Sequence, residues 1–280
     1  MHNKIEMTNL IKDAAFVGSI PEHYHRGLGP TLFEPYAQET ATRVAALAPA
    51  RVLETACGTG IVTRRLREKL PDAAQLVATD LNEPMAAVAR DLLGPEANVD
   101  WECADMTQLP FGDGEFDVVV CQFGLMFVPD KPAAVREARR VLKPGGRLFV
   151  VTWQSLQKNH VVGLAHEAVG SFFPDNPPQF YFTPFGFGEP EQVTPLLVDA
   201  GFAGVRAEAV EKPTMSESAR ELALGLIGGY PISDYIKEHD PSLLHPVIDA
   251  VTKAIADAYG EGVVTTNISA LYTTGTTPGA

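Results

Sequence analysis

The sequence predicts an α/β protein built on a doubly wound, mostly parallel sheet with helices on both faces. Two observations carry this. Between residues 51 and 153, short apolar runs of strand length alternate with helical patterns, as in successive strand–helix–strand units. The first run, Val52-Leu53-Glu54, ends in a carboxylate, passes through Thr55-Ala56-Cys57-Gly58-Thr59-Gly60, and enters a helical pattern from Ile61 to Leu70. Such a strand–turn–helix exposes backbone amides at a strand end, where a ligand can approach closely.

The pattern places strands at 51–56, 75–80, 99–103, 116–122 and 147–153, and helices near 60–70, 84–93 and 131–142. Lys143-Pro144-Gly145-Gly146 reads as a stop and turn between the last of these helices and the fifth strand. Gly201 to Glu211 suggests a sixth strand and Val263 to Thr273 a seventh. Outside this core, residues 1–48 read as helical pieces divided by Pro21, Pro30 and Pro35. Residues 154–188 leave the sheet through a helix near 159–170 and an aromatic, proline-rich loop. Pro195 implies that the helical pattern from Pro190 to Ala200 starts late or kinks. In 216–260, Ser218 and Glu221 have capping-box spacing, Gly228-Gly229 is a stop, and Leu244, Val247, Ile248, Val251 and Ile255 mark a helix over about 242–259.

Composition narrows the function classes. A chain of 280 residues holds one large domain, or one domain with a small cap, and has ample apolar content for a core without disulfides or metals. A net charge of −13 argues against nucleic acid as a partner, because phosphate binding needs a basic surface. No apolar run reaches transmembrane length and Met1 to Leu10 lacks a signal-peptide core, so the expected location is cytoplasmic. Three cysteines without metal-like spacing give neither a disulfide framework nor a zinc site. Cys103 and Cys121 read as small buried hydrophobes, and Cys57 lies in the glycine turn.

The turn does not fit a dinucleotide fingerprint. That pattern requires a third glycine where this chain has Thr63, and the Lys-Ser/Thr pair of a P-loop is absent too. Glu54, before the glycines, would repel a pyrophosphate and suits a hydrogen-bonding cofactor instead.

Four segments in register, VLETACGTG (52–60), ATDLNEPM (78–85), CADMTQLPFGDGEFDVVVCQFGLMFVPD (103–130) and VLKPGG (141–146), resemble the class I S-adenosylmethionine-dependent methyltransferases. Within them the chain is similar to the small-molecule branch that includes quinone-biosynthesis methyltransferases. Ala56 departs from the pattern, which carries its first glycine there. The resemblance implies a Rossmann-like seven-stranded sheet with an antiparallel last strand. It also implies a methyltransferase domain over 49–280, an N-terminal helical segment (1–48) covering the cofactor site, and cap or acceptor-side insertions at 154–188 and 212–262. The implied cofactor is S-adenosylmethionine, with S-adenosylhomocysteine as product and no metal.

Individual residues follow. Asp80 ends the second strand, where a carboxylate accepts both ribose hydroxyls; capping the next helix suits Asn82 better. Asp105 would take the adenine amino group and the Met106 amide would meet the ring, with Leu81 and Met85 as candidate walls; a local capping role is the alternative for Asp105, and core packing explains Met85 equally well. Glu54 would help hold the cofactor ammonium, Ala56, Gly58 and Gly60 form the turn, and Gln122 and Phe123 face the methionine part. Phe16, Tyr24 and Phe127 are candidates for an aromatic face near the sulfonium, and core packing is the equal alternative for each.

Donor motifs say little about the acceptor, because a reactive sulfonium leaves much of catalysis to alignment and water exclusion. The segment Ser19 to Phe33 offers His23, Tyr24 and His25 as candidate bases and Arg26 as an anion anchor; a solvated helix face is the plain alternative. Ser171 to Gly188 concentrates six phenylalanines, Tyr181 and four prolines, which suits an aromatic or prenyl-like acceptor, a hydrophobic plug or a dimer contact. His160 and His166 precede it, six residues apart, on different helix faces. The reading is methyl transfer by in-line displacement to a small, apolar or aromatic acceptor, with oxygen marginally preferred over carbon or nitrogen. Non-methylating chemistry with the same cofactor and a non-catalytic binding subunit are the alternatives, and a homodimer is open.

Overall fold

The computed structural model describes residues 24–279. One sheet of seven strands forms the centre: β1 (Arg51–Thr55), β2 (Gln75–Asp80), β3 (Asp100–Cys103), β4 (Phe116–Gln122), β5 (Leu142–Trp153), β6 (Ala203–Ser216) and β7 (Val264–Thr276). Their order is β3-β2-β1-β4-β5-β7-β6. β7 runs antiparallel between β5 and β6, and the other pairings are parallel. This is the doubly wound sheet with an antiparallel last strand that the sequence implies.

Both faces are covered. On β4, Val118 and Val120 join the apolar layer beneath α1 (Glu34–Ala45) and α2 (Ile61–Lys69), while Val119 and Cys121 join the opposite layer. Alternate side chains of a strand point to opposite faces, so a strand buried on both sides reads as a continuous apolar run. α3 (Glu83–Leu93) follows β2, α4 (Lys131–Val141) follows β4, and α5 (His160–Gly170) follows β5. After α6 (Phe182–Phe185) and α7 (Pro190–Asp199), the insertion between β6 and β7 contributes α8 (Ala219–Gly228), α9 (Ile232–His239) and α10 (Leu244–Tyr259). A π-helical segment, Tyr24–Phe33, precedes α1 and packs against α8.

The Ser218 hydroxyl accepts the Glu221 amide at 3.1 Å and caps α8. Ser218→Ala is expected to cost about 1 kcal/mol, read as a lower urea midpoint with an unchanged slope.

Several expectations are corrected. β5 begins at Leu142, so Lys143 to Gly146 form an irregularity within the strand rather than a turn before it. Pairing passes from Phe116↔Leu142 to Val118↔Arg147. Asp117, the skipped residue, anchors the excursion: Lys143 Nζ lies 2.7 Å from its Oδ1, and its Oδ2 accepts the Ala50 and Arg51 amides. α7 starts at Pro190 and continues through Pro195, because its start is held by a reciprocal box between Glu189 and Gln192. Cys103 is exposed, since β3 is the outer edge of the sheet, whereas Cys121 is buried in central β4. β6 and β7 extend past their expected ends, pairing over Arg206↔Thr274 to Ser216↔Val264.

Candidate cofactor-binding site

Strand order reverses between β1 and β4, and a cavity of about 620 Å³ opens at the C-terminal ends of β1, β2, β4 and β5. Ligands of open doubly wound sheets bind at such reversal points, in volumes of about 300–1,000 Å³.

The glycine turn forms its floor. The Cys57 amide donates to the Thr79 carbonyl at 2.9 Å, tying the turn to β2. Gly60 has φ +78°, and a Cβ there would stand 2.9 Å from the Ala89 Cβ of α3, so both backbone and packing demand glycine. Ala56 holds φ +54°, a left-handed backbone where the family pattern has glycine. Its methyl faces Gly124, which the turn after β4 brings against it.

Asp80 is buried and lines the cavity. Its Oδ2 accepts the Gly58 amide at 2.8 Å and its Oδ1 the Asn82 amide at 2.7 Å. Burial raises its pKa, opposed by these amides. The carboxylate therefore shapes the turn as well as facing the cavity. Asn82 occupies the cap position of α3 without a side-chain cap bond.

Glu54, at the end of β1, also lines the cavity, and its Oε2 is enclosed without a hydrogen-bond partner among the described residues. Burial pushes its carboxyl up to about 8, eased by the Thr63 hydroxyl and reinforced by Asp80. A buried carboxyl lacking a partner is costly unless a donor arrives from the cavity.

Asp105 is exposed at the rim, where Oδ1 accepts the Thr107 amide at 2.8 Å and hydroxyl at 2.7 Å. The local turn is thus realised, and Asp105 borders the cavity alongside Met106. Leu81, 62% exposed, and buried Met85 supply apolar walls.

The far end is aromatic. Phe123, at φ +59°, stacks on Trp153 with ring centroids 3.7 Å apart. Tyr24 stacks on Phe33 at 4.6 Å and meets Tyr230 edge-on at 6.3 Å. Phe127 also lines the cavity. Sequence reasoning missed Trp153 and Tyr230. Trp153 could have been found, since it ends a strand on the same edge as Gln122, whereas Tyr230 arrives from the loop after α8 with no local signal.

Phe16 and His23 lie outside the described residues. His25 is not brought to the cavity wall: its Nδ1 is 3.1 Å from Thr59 Oγ1, and burial and the Arg64 guanidinium lower its pKa. His160 meets the Tyr259 hydroxyl at 2.9 Å and His166 packs edge-on against Phe182, and neither lines the cavity. From the aromatic loop, Phe180, Tyr181 and Phe185 are buried, and only Pro184 of that loop reaches the cavity wall.

A glycine turn tied to the strand-end carboxylate of Asp80, with buried Glu54 on the adjacent strand, gives an α/β protein with a ligand cavity at its strand-order reversal. Residues 53–150 match the family described as Methyltransferase domain. The Ubiquinone/menaquinone biosynthesis C-methyltransferase UbiE of Pseudomonas fluorescens is 38% identical over 166 residues, which span 54% of this chain and 64% of that protein. Its counterpart from Ectopseudomonas mendocina is 37% identical over 169 residues, 55% of this chain and 66% of that protein. The match thus covers just under two thirds of these relatives. Among solved structures, the YcgJ protein of Bacillus subtilis superposes with a TM-score of 0.56 at 19% identity, covering 88% of this chain and all of that one. Phosphoethanolamine N-methyltransferase 2 of Haemonchus contortus, in complex with S-adenosyl-L-methionine, gives 0.51 at 17% identity, covering 94% and 60%. Residues 53–150 thus carry a methyltransferase domain, and the chain is similar to the UbiE enzymes over just over half of its length.

Proposed function

We propose that the protein transfers a methyl group from S-adenosylmethionine to a carbon of a small, neutral, hydroxylated aromatic acceptor. The buried pair Glu54 and Asp80, at the ends of adjacent parallel strands, is the observation that carries the donor assignment. The residues present fit that molecule. Asp80 suits the ribose diol, and Asp105, whose second oxygen accepts no hydrogen bond from the described residues, suits the adenine amine. Glu54, whose Oε2 has no hydrogen-bond partner among the described residues, suits the ammonium. When bound, the sulfonium supplies an electrophilic methyl group.

Carbon is preferred over oxygen for two reasons. The UbiE relatives are named as C-methyltransferases. The case for oxygen rested on nearby histidines, and none of the described ones lines the cavity. Burial raises the pKa values of Tyr24 and Tyr230, so both hydroxyls stay protonated at neutral pH, which favours hydrogen-bond donation to an acceptor oxygen over base catalysis. The lining includes Glu54, Asp80, Asp105 and Asp130 but, among the described residues, no lysine, arginine or histidine. An anionic acceptor would therefore meet repulsion without a counter-charge. The aromatic walls orient a flat ring and exclude water.

Calorimetric titration with S-adenosylhomocysteine and with NAD tests the donor, and binding of NAD alone would overturn it. Mass spectrometry across quinols, phenols, carboxylic acids and amines tests the acceptor. One added methylene unit on a ring carbon of a quinol or phenol, and none on carboxylic acids, is the expected result.

A pH dependence follows from Glu54. With its carboxyl held up at about 8, it is largely protonated at neutral pH. Binding an ammonium requires the carboxylate, so binding releases that proton. The affinity for S-adenosylhomocysteine is expected to rise from about pH 6 to about 8, by up to about tenfold per pH unit, and then level off. Stability without ligand runs the other way. A raised carboxyl value favours the folded state below the usual carboxylate range, and that contribution is lost as pH rises through about 8. Titrations in buffers of different ionisation heat read the proton release, and Glu54→Gln is expected to flatten the profile.

A further inference from the structure

The amide of Gln122 is held from behind by a chain of hydroxyls that reaches it from elements outside the motif region. Thr40, fully buried in α1, has its hydroxyl 2.6 Å from Gln122 Oε1 and 3.0 Å from the Tyr272 hydroxyl of β7. The Tyr272 hydroxyl in turn donates to the Tyr36 carbonyl at 3.0 Å. The Arg43 guanidinium lies over the Tyr272 ring at 4.5 Å and packs it in place.

The distances assign the direction of this chain, since the Tyr36 carbonyl cannot donate and an N–H of Gln122 would otherwise be a possible third donor. The two equal distances at Tyr272 fit a single proton shared between the Tyr36 carbonyl and Thr40 Oγ1, a three-centre bond. That leaves the proton of Thr40 for Gln122 Oε1, and 2.6 Å suits O–H···O and is short for N–H···O. The amide oxygen is thus occupied. The NH2 end makes no hydrogen bond to the described residues, and Gln122 lines the cavity beside Glu54.

We propose that Thr40, backed by Tyr272, is a positioning residue that fixes the Gln122 amide with its NH2 group toward the cavity, where it donates to the carboxylate of an amino-acid-bearing nucleoside. The inference rests on the donor reading above and deepens it. Glu54 accepts from the ammonium and Gln122 donates to the carboxylate, so the two side chains read the two ends of one zwitterion. The division matters here because no basic side chain among the described residues lines the cavity to meet that carboxylate. Without the Thr40 proton, the carboxamide has equal reason to present its oxygen, which repels a carboxylate.

The test compares S-adenosylhomocysteine with 5′-methylthioadenosine, which keeps the nucleoside and thioether and lacks the amino acid. In calorimetry, Thr40→Val is expected to bind S-adenosylhomocysteine about tenfold more weakly and 5′-methylthioadenosine within about twofold of wild type, whereas Thr40→Ser restores the first to within about threefold. Thr40→Cys, of similar volume and a far weaker donor, is expected to follow the valine variant and serves if that one does not fold. A purely structural role for Thr40 would lower the melting temperature and leave the ratio of the two affinities unchanged. An unchanged ratio in the valine and cysteine variants, or no recovery with serine, overturns the assignment alone. Wild-type protein that binds neither ligand overturns the donor reading, and this assignment with it.

Discussion

Asp80→Ala is expected to weaken S-adenosylhomocysteine binding by about a hundredfold, which corresponds to about 3 kcal/mol and to the loss of more than one charge-assisted hydrogen bond. The size follows from the double duty of the side chain. A residue that only gripped ribose would cost its own bonds to the ligand. Asp80 also accepts the Gly58 and Asn82 amides at 2.8 and 2.7 Å, so its removal orphans two donors and loosens the turn that forms the cavity floor. The melting temperature is expected to fall as well, because those part-buried amides lose their acceptor. Asp80→Asn should fall between, since its amide oxygen serves one backbone donor while its NH2 faces the other. Calorimetry gives the affinity and thermal denaturation the stability. An affinity within a factor of two of wild type in the alanine variant would remove Asp80 from the site.

Gly124→Ala is expected to destabilise the protein by about 2–3 kcal/mol, the usual cost of forcing a methyl group into a filled interior. A Cβ on Gly124 would stand 2.4 Å from the Ala56 Cβ and 3.2 Å from Cys121 Sγ. Here the departure of this chain from its family becomes legible. Alanine at 56 is tolerated because the facing residue has no side chain. Ala56→Gly alone is expected to be near neutral, since relief of its left-handed backbone, worth about 1 kcal/mol, offsets the lost methyl contact. Ala56→Gly combined with Gly124→Ala should recover most of the stability lost by the second change, giving a coupling of about 1–2 kcal/mol in a urea double-mutant cycle. Additive effects would mean that the two residues do not share the space.

Much of the fold was legible in advance because parallel strands buried on both faces leave an unmistakable trace. Gln75–Asp80 and Phe116–Gln122 coincide with their expected limits. The helices after the first, second and fourth strands fall within a residue or two of theirs. What was misread has local physical causes. Lys143 to Gly146 carry turn chemistry and do make an excursion, but Asp117 anchors it inside the strand pairing. Pro195 looked incompatible with an early start, yet the reciprocal Glu189–Gln192 box holds the first turn of that helix. Cys103 was placed in the interior because strand residues usually are, and β3 proved to be an outer edge.

The site divides along the same line. Glu54, Gly58, Gly60, Asp80, Asp105 and Gln122 belong to strand ends and the turns that follow, and strand ends on one edge of a parallel sheet must converge. Sequence spacing therefore determined the half of the cavity proposed to hold the methyl donor. The aromatic half, proposed for the acceptor, was not legible, because its walls come from elements far apart in the chain: Tyr24 before α1, Trp153 at the end of β5, Tyr230 after α8. The histidines show the difference most plainly. His25 was a candidate base, and by packing it lies against Thr59, with His160 and His166 away from the cavity. The hydroxyl chain from Tyr272 through Thr40 to Gln122 joins residues 232 and 82 positions apart. Periodicity and motif spacing report interactions that repeat along the chain, and so the sequence alone determined the sheet, the turn and the cofactor class. Which aromatic rings face each other, and which end of an amide the cavity sees, depend on contacts without sequence regularity, and only the tertiary structure decided them.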